Sequence, residues 1–152
     1  MSYTIEVKEQ SATPVLAVRT RTAVQNLPGV LGECYRKVML YLMELGQQPA
    51  GAPYVAYFNM DMNDLDIEAG YPVASTLPGR EDMQPGVFPA GKTLTAQHTG
   101  PYDQMTAAYN DMNTWIQANH QQPTGTVYEF YLNNPAEVAP EELQTQIVMP
   151  LK

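Results

Sequence analysis

The feature that most constrains the fold of this 152-residue chain is an order of elements that occurs twice. Residues 3–9 and 14–21 read as extended, with Pro14 marking a bulge or a break between two strand pieces. A helix follows, with Pro28 near its start, Leu31, Tyr35, Val38, Leu42 and Leu45 at helical spacing, and Gly46 just past its end. Two more extended runs, YVAYFNM and LDIEAGYPV, flank a turn at Asn63 and Asp64. The order then recurs. KTLTAQH at 92–98 is strand-like, and Asp103 to Asn119 reads as a helix with Met105, Ala108, Tyr109, Met112 and Ile116 on one face. VYEFYLN and LQTQIVMPL supply the last two strands.

The letters of the halves echo each other as well. Setting Tyr57, Phe58 and Asn59 against Tyr131, Leu132 and Asn133, and Pro72 against Pro150, places Val55 opposite Glu129 and Glu68 opposite Gln146. A lone βαββ unit covers one face of its sheet and leaves the other bare, whereas two units can pair their faces. The expectation is an α+β fold: two tandem βαββ modules related by a pseudo-twofold axis, with antiparallel sheets, one main helix each and a ligand cleft between the modules. Repeat 1 spans about 1–75 and repeat 2 about 92–152, within one domain over 1–152. The Pro- and Gly-rich stretch STLPGREDMQPGVFPAG reads as a connector over about 76–91.

Composition removes several function classes. Cys34 is the only cysteine, so no intramolecular disulfide framework exists, and no Cys/His spacing resembles a metal site. His98 and His120 are isolated, and no P-loop, GxGxxG or GxSxG fingerprint is present, so neither a metal nor another cofactor is expected. Eight basic residues against sixteen acidic ones give a net charge of -8, with the basic residues scattered; such a surface repels phosphate backbones, which argues against direct nucleic-acid binding. No apolar run approaches the roughly 20 residues that span a bilayer, and MSYTIEVKEQ lacks the blocks of a signal peptide. A cytoplasmic setting without membrane contact is expected. Ten tyrosines and nine methionines suit a core or a permissive pocket.

One residue breaks the apolar pattern. In VYEFYL, Glu129 stands among strand-formers, and alternation places it on one face with Val127 and Tyr131. On the final strand Gln144, Gln146 and Val148 share a face, so polar groups of the two strands are expected to converge; Glu68 shares its own face with Asp66 and Gly70. The alternative for Glu129 and Glu68 is a solvated outer face, the usual place of Glu in a half-buried strand. HTGPYDQM sets a tight bend at Gly100, fixes the chain direction with Pro101 and puts Tyr102 where the second helix begins, with Asp103 near its first amides.

Several motifs combine at this point: HxGPY at 98–102, Ala108, Tyr109 and Trp115, YExYLNNP at 128–135, PEEL at 140–143, IxxP at 147–150, and DxEAGYPV from Asp66 to Val73. Together they resemble the GyrI-like small-molecule-binding family, which also serves as the effector-binding domain of bacterial transcription activators. The resemblance implies duplicated βαββ modules and an aromatic cleft with a carboxylate on the strand matching YEFYL, the place of Glu129. It implies that Glu129 meets aromatic or lipophilic ligands, cations included, with Tyr102, Tyr57, Tyr131 and Trp115 as walls. Glu68 and Gln146 are further candidates, Gln146 standing where relatives often carry a second Glu. A stand-alone binding domain is the first expectation. Relatives also imply two alternatives: a hydrolase of strained electrophiles with Glu129 as general base and Tyr102 or Tyr131 as proton donor, and a module that binds gyrase or a transcription regulator.

Overall fold

Along LDIEAGYP the side chains alternate, with Leu65, Ile67 and Ala69 buried while Asp66 and Glu68 on the opposite face stay half-exposed. The same period-two logic builds the eight strands of the described residues, and two helices pack on them. The computed structural model describes residues 4–152. Tyr3, in the first expected strand, lies outside the described residues. In chain order the elements are β1 (Ile5–Gln10), β2 (Thr13–Thr22), α1 (Leu27–Glu44), β3 (Tyr54–Tyr57), β4 (Leu65–Pro72), β5 (Met83–Phe88), β6 (Gly91–Thr99), α2 (Thr106–Ala118), β7 (Val127–Tyr131) and β8 (Gln144–Pro150). They form two units, one over Ser11–Ala90 and the other over Gly91–Lys152 together with β1.

In the unit over Ser11–Ala90, the antiparallel strand order is β3, β4, β2, β5. Helix α1 packs on β2 and β4 through a stripe that includes Leu31, Cys34, Val38 and Leu42. Pro28 in the first turn lacks an N–H that would have had no helical acceptor there. The helix stops where Gly46 takes a left-handed φ of 69°; its N–H reaches the Met43 carbonyl, and that of Gln47 reaches Leu42. Asn59 fixes the β3–β4 connection: its amide donates to the Asp64 carbonyl at 3.0 Å and its carbonyl accepts the Asp66 N–H at 2.9 Å.

In the unit holding Gly91–Lys152 and β1, the order is β1, β6, β8, β7, again antiparallel. Met105, Ala108, Met112 and Ile116 pack with Leu94, Ala96, Val127, Ile147 and Met149 in one core. These helix residues follow one another at the same steps as Leu31, Cys34, Val38 and Leu42 of α1. After α2, His120 takes a left-handed φ of 54°, and Asn133 donates to Glu142 and accepts from the Gln144 N–H, each at 2.9 Å.

Three expectations change. The connector over about 76–91 contains β5, which pairs with β2 from Thr13↔Phe88 to Val18↔Met83. Its Pro85 and Gly86 read as breakers in sequence, but the outer strand of this unit tolerates a residue without an N–H. The chain breaks at Ser11 and Ala12, between β1 and β2, and Pro14 lies inside β2 opposite Val87. The strand expected to open repeat 1 is β1, and it pairs with β6, Ile5 facing Ala96 and Gln10 facing Gly91. Hydrophobic alternation states which face a strand buries and is silent on which neighbour it joins. Among the described residues no helix is long and apolar enough to cross a membrane.

Candidate ligand site around Glu129

Cross-strand partners in an antiparallel pair project to the same face. Glu129 faces Ile147, and Ile147 in turn faces Ala96; both apolar partners belong to the core beneath α2. Glu129 therefore points to the helix side of its sheet, as Tyr131 does. The Tyr131 hydroxyl donates to Glu129 Oε1 at 2.8 Å. From α2 the Tyr109 hydroxyl donates to Oε2 of the same carboxylate. Each carboxylate oxygen thus holds one phenol.

Tyr102 completes the cluster. Its ring centroid lies 5.5 Å from that of Tyr131 at an interplanar angle of 60°, and the residue remains 40% exposed. The turn that carries it is tied at both sides: the Gly100 N–H reaches the Leu143 carbonyl at 2.8 Å, and His98 Nε2 lies 3.1 Å from the Pro101 carbonyl. Gly100 has φ 134°, a conformation that a residue with a Cβ rarely adopts. Tyr102–Gln104 form a short 3-10 turn before α2, and Asp103 lies in that first turn. Thr145, fully buried, faces both Tyr131 and His98 across the sheet.

The electrostatics follow from this packing. Burial pushes the Glu129 carboxyl above the ordinary carboxylate range; the hydrogen bonds from Tyr109 and Tyr131 stabilise the ionised form and oppose the shift without cancelling it. No ionised side chain contributes. Burial also raises Tyr102, and the nearby Glu129 charge adds to that shift. A partly covered carboxylate ringed by phenols can hold a cation or take a proton.

Two further candidates, Trp115 and Gln146, belong to the same unit as Glu129. Trp115 packs against the apolar cluster that lines α2. Gln146 faces Phe130 and Gln97, so it projects from the side opposite Glu129, and the expected convergence of those two residues does not occur. The one-residue step between Ile147 and Gln146 decides it. In the other unit, Tyr57 faces Ile67; that residue shares the side of Tyr71, whose ring meets Tyr35 of α1 at 5.8 Å. Glu68 is on the reverse side, half-buried, and accepts a hydrogen bond from the Tyr54 hydroxyl at 2.9 Å. Tyr57 and Glu68 thus occupy opposite faces of one sheet. Arg19, across from Glu68, is committed to a two-point ion pair with Asp66, both bonds at 2.7 Å.

Sequence reasoning passed over Tyr109 as a ligand-site residue by reading it as part of the helical stripe and of the family motif. A usable signal was present: a buried tyrosine needs a partner for its hydroxyl, and Tyr109 follows Met105 by one helical turn as Tyr35 follows Leu31. Among the described residues no group of three His, Cys, Asp or Glu side chains could hold a metal ion.

Solved structures share this fold. The chain matches EcmrR in an EcmrR–DNA complex with TM-score 0.85 and 20% identity, covering 99% of this chain and 57% of that one. It therefore spans little more than half of that protein's length. The EcmrR C-terminal domain alone matches with TM-score 0.81 and 19% identity over 100% and 99% of the two chains. SAV2435 bound to tetraphenylphosphonium matches with TM-score 0.69 and 12% identity, over 100% and 94%. A hydrolase from Listeria innocua matches with TM-score 0.72 and 11% identity, over 97% and 91%. At these identities each likeness is one of fold. No curated protein matches the chain in sequence. The model of the GyrI-like small molecule binding domain matches residues 3–152, and the chain belongs to that family.

Proposed function

We propose that the cluster of Glu129, Tyr109, Tyr131 and Tyr102 binds aromatic or lipophilic small molecules, cations among them, as an effector- or drug-binding site. Membership of a small-molecule-binding family supports the general reading. One observation carries the specific one: a half-buried carboxylate is held by two phenol hydroxyls with no ionised neighbour contributing to its titration. A ligand cation supplies the missing charge, and the rings of Tyr102 and Tyr131 offer faces for stacking and cation-π contact, worth about 0.5–2 kcal/mol each. Tetraphenylphosphonium, the ligand of SAV2435, is a fitting probe because its charge is fixed and its surface is aromatic.

The wider frame belongs to the same proposal. We read the two units as copies of one βαββ module related by a pseudo-twofold axis, with Val55 and Glu129 at corresponding positions. Three features support this: the matched helical stripes, the left-handed residue after each helix, and the paired bonds of Asn59 and Asn133. Trp115, on the same helix as Tyr109, and Tyr57 and Glu68 of the other unit belong to this proposal as further ligand contacts, whereas Gln146 projects from the opposite side of its sheet.

Calorimetric titration with tetraphenylphosphonium tests the function. Glu129→Gln keeps a hydrogen-bond acceptor and removes the charge; the expected loss is about tenfold in Kd, near 1.4 kcal/mol. Equal affinity for both proteins overturns the reading. Recovery of a water-added product from a strained electrophilic ligand, lost in the same variant, would instead establish the hydrolase with Glu129 as general base.

A further inference from the structure

From residue 93 to residue 151 the sequence contains no lysine or arginine. Strands β7 and β8, helix α2 and the turn before it therefore offer no fixed positive charge. Tyr131 stands on its own strand, Tyr109 on α2 and Tyr102 in the preceding turn. Across the sheet lie Ile147 and Thr145 of β8, then Ala96 and His98 of β6, with His98 Nε2 facing the Pro101 carbonyl. Asp103 and Asp111 are exposed. Lys92 sits at the far end of β6, opposite Glu9. At the strand position that corresponds to Glu129, the other unit carries Val55, fully buried. An apolar side chain suits this place in the fold, so packing does not call for the carboxyl.

We propose that Glu129 binds ligand cations in exchange for its own proton, and that weakly basic aromatic amines, which arrive neutral and accept that proton, are a ligand class of this site. The inference rests on the small-molecule reading above and adds a chemistry to it. With a fixed-charge cation, the Glu129 O–H bond breaks, the proton leaves to solvent, and the carboxylate pairs with the ligand. With a weak base, the same O–H bond breaks and a ligand N–H bond forms, leaving an ammonium–carboxylate pair and no proton in solution. The weak base has an energetic advantage, because a neutral ring enters a dehydrating site without first losing the hydration shell of an ion. The Tyr109 and Tyr131 hydroxyls then support the carboxylate that the transfer creates.

Acridine and N-methylacridinium make a matched pair of probes, since they share a ring system and differ in whether the charge is fixed. For N-methylacridinium the expected result is a Kd that weakens by up to ~tenfold per pH unit as pH falls through the Glu129 titration. Proton release accompanies it, read as a binding heat that varies with the ionisation enthalpy of the buffer. Bound acridine is expected to show acridinium emission at a pH where the free dye is neutral, with no net proton release. Glu129→Gln should abolish both signatures, and the pH series on the unaltered protein stands without any variant. If N-methylacridinium binds through Glu129 with no pH dependence and acridine stays neutral when bound, proton exchange is overturned while the small-molecule site survives. If neither dye nor tetraphenylphosphonium responds to Glu129→Gln, both readings fall.

Discussion

Tyr35 and Tyr109 each stand one helical turn after the first buried residue of their helix stripe, yet their hydroxyls serve different acceptors. Tyr35 donates to the backbone carbonyl of Tyr54 at 3.0 Å, whereas Tyr109 donates to the Glu129 carboxylate. A hydrogen bond to a charged acceptor contributes about 1.5–3 kcal/mol, more than one to a neutral carbonyl. Tyr109→Phe is therefore expected to weaken tetraphenylphosphonium binding several-fold and to move the pH midpoint of that binding upward, because the ionised carboxylate loses a donor. Tyr35→Phe should leave binding unchanged. Titrations of both variants across a pH series check this.

Glu129 also sets a pH dependence of folding. Its folded carboxyl is raised above the ordinary value of 4.5 by burial. The folded state then holds the proton more tightly than the unfolded chain, so the stability this group contributes is present below the unfolded value and is lost as pH rises through the folded one. Chemical denaturation of the wild type and Glu129→Gln is expected to show the wild type losing ground above about pH 4.5, with the difference levelling off once the folded carboxyl is ionised. A constant difference across that range would contradict the assignment.

Among the glycines of the unit over Ser11–Ala90, Gly70 leaves the least room for a Cβ. A Cβ there would lie 2.1 Å from the Leu16 carbonyl oxygen and 2.7 Å from Ala17 Cα. Backbone cannot yield as a flexible side chain can, so Gly70→Ala is expected to cost about 3 kcal/mol or more. A drop in Tm, or loss of soluble folded protein, is the readout; a neutral result would mean that β2 and β4 are spaced differently.

Asn59 and Asn133 each hold the connection between two strands with a pair of hydrogen bonds to backbone. Either substitution to Ala leaves one backbone donor and one acceptor to find new partners, at a cost of about 2 kcal/mol. The two losses are expected to be similar in size and additive in the double variant, since the two clamps share no partners. Denaturant midpoints measure both.

Much of this was legible before folding was considered. Pro28 and Gly46 bounded α1, the spacing of Leu31, Val38 and Leu42 gave its buried stripe, and alternation put Val127, Glu129 and Tyr131 on one face. Those signals are local: they follow from fixed periods of helix and strand and from the special dihedrals of Pro and Gly. The breaker rule failed at Pro85, because a proline's missing N–H matters only where a neighbouring strand needs it.

The sequence by itself determined the order of every element except β5, the recurrence of strand, helix, strand and strand, and the presence of one carboxylate in an otherwise apolar strand. Only the tertiary structure decided that β1 joins β6, that Gln146 turns away from Glu129, and that Tyr109 and Tyr102 converge with Tyr131 around the carboxylate. Strand pairing, a one-residue register and contacts across many residues are set by packing between distant segments, and no local period records them.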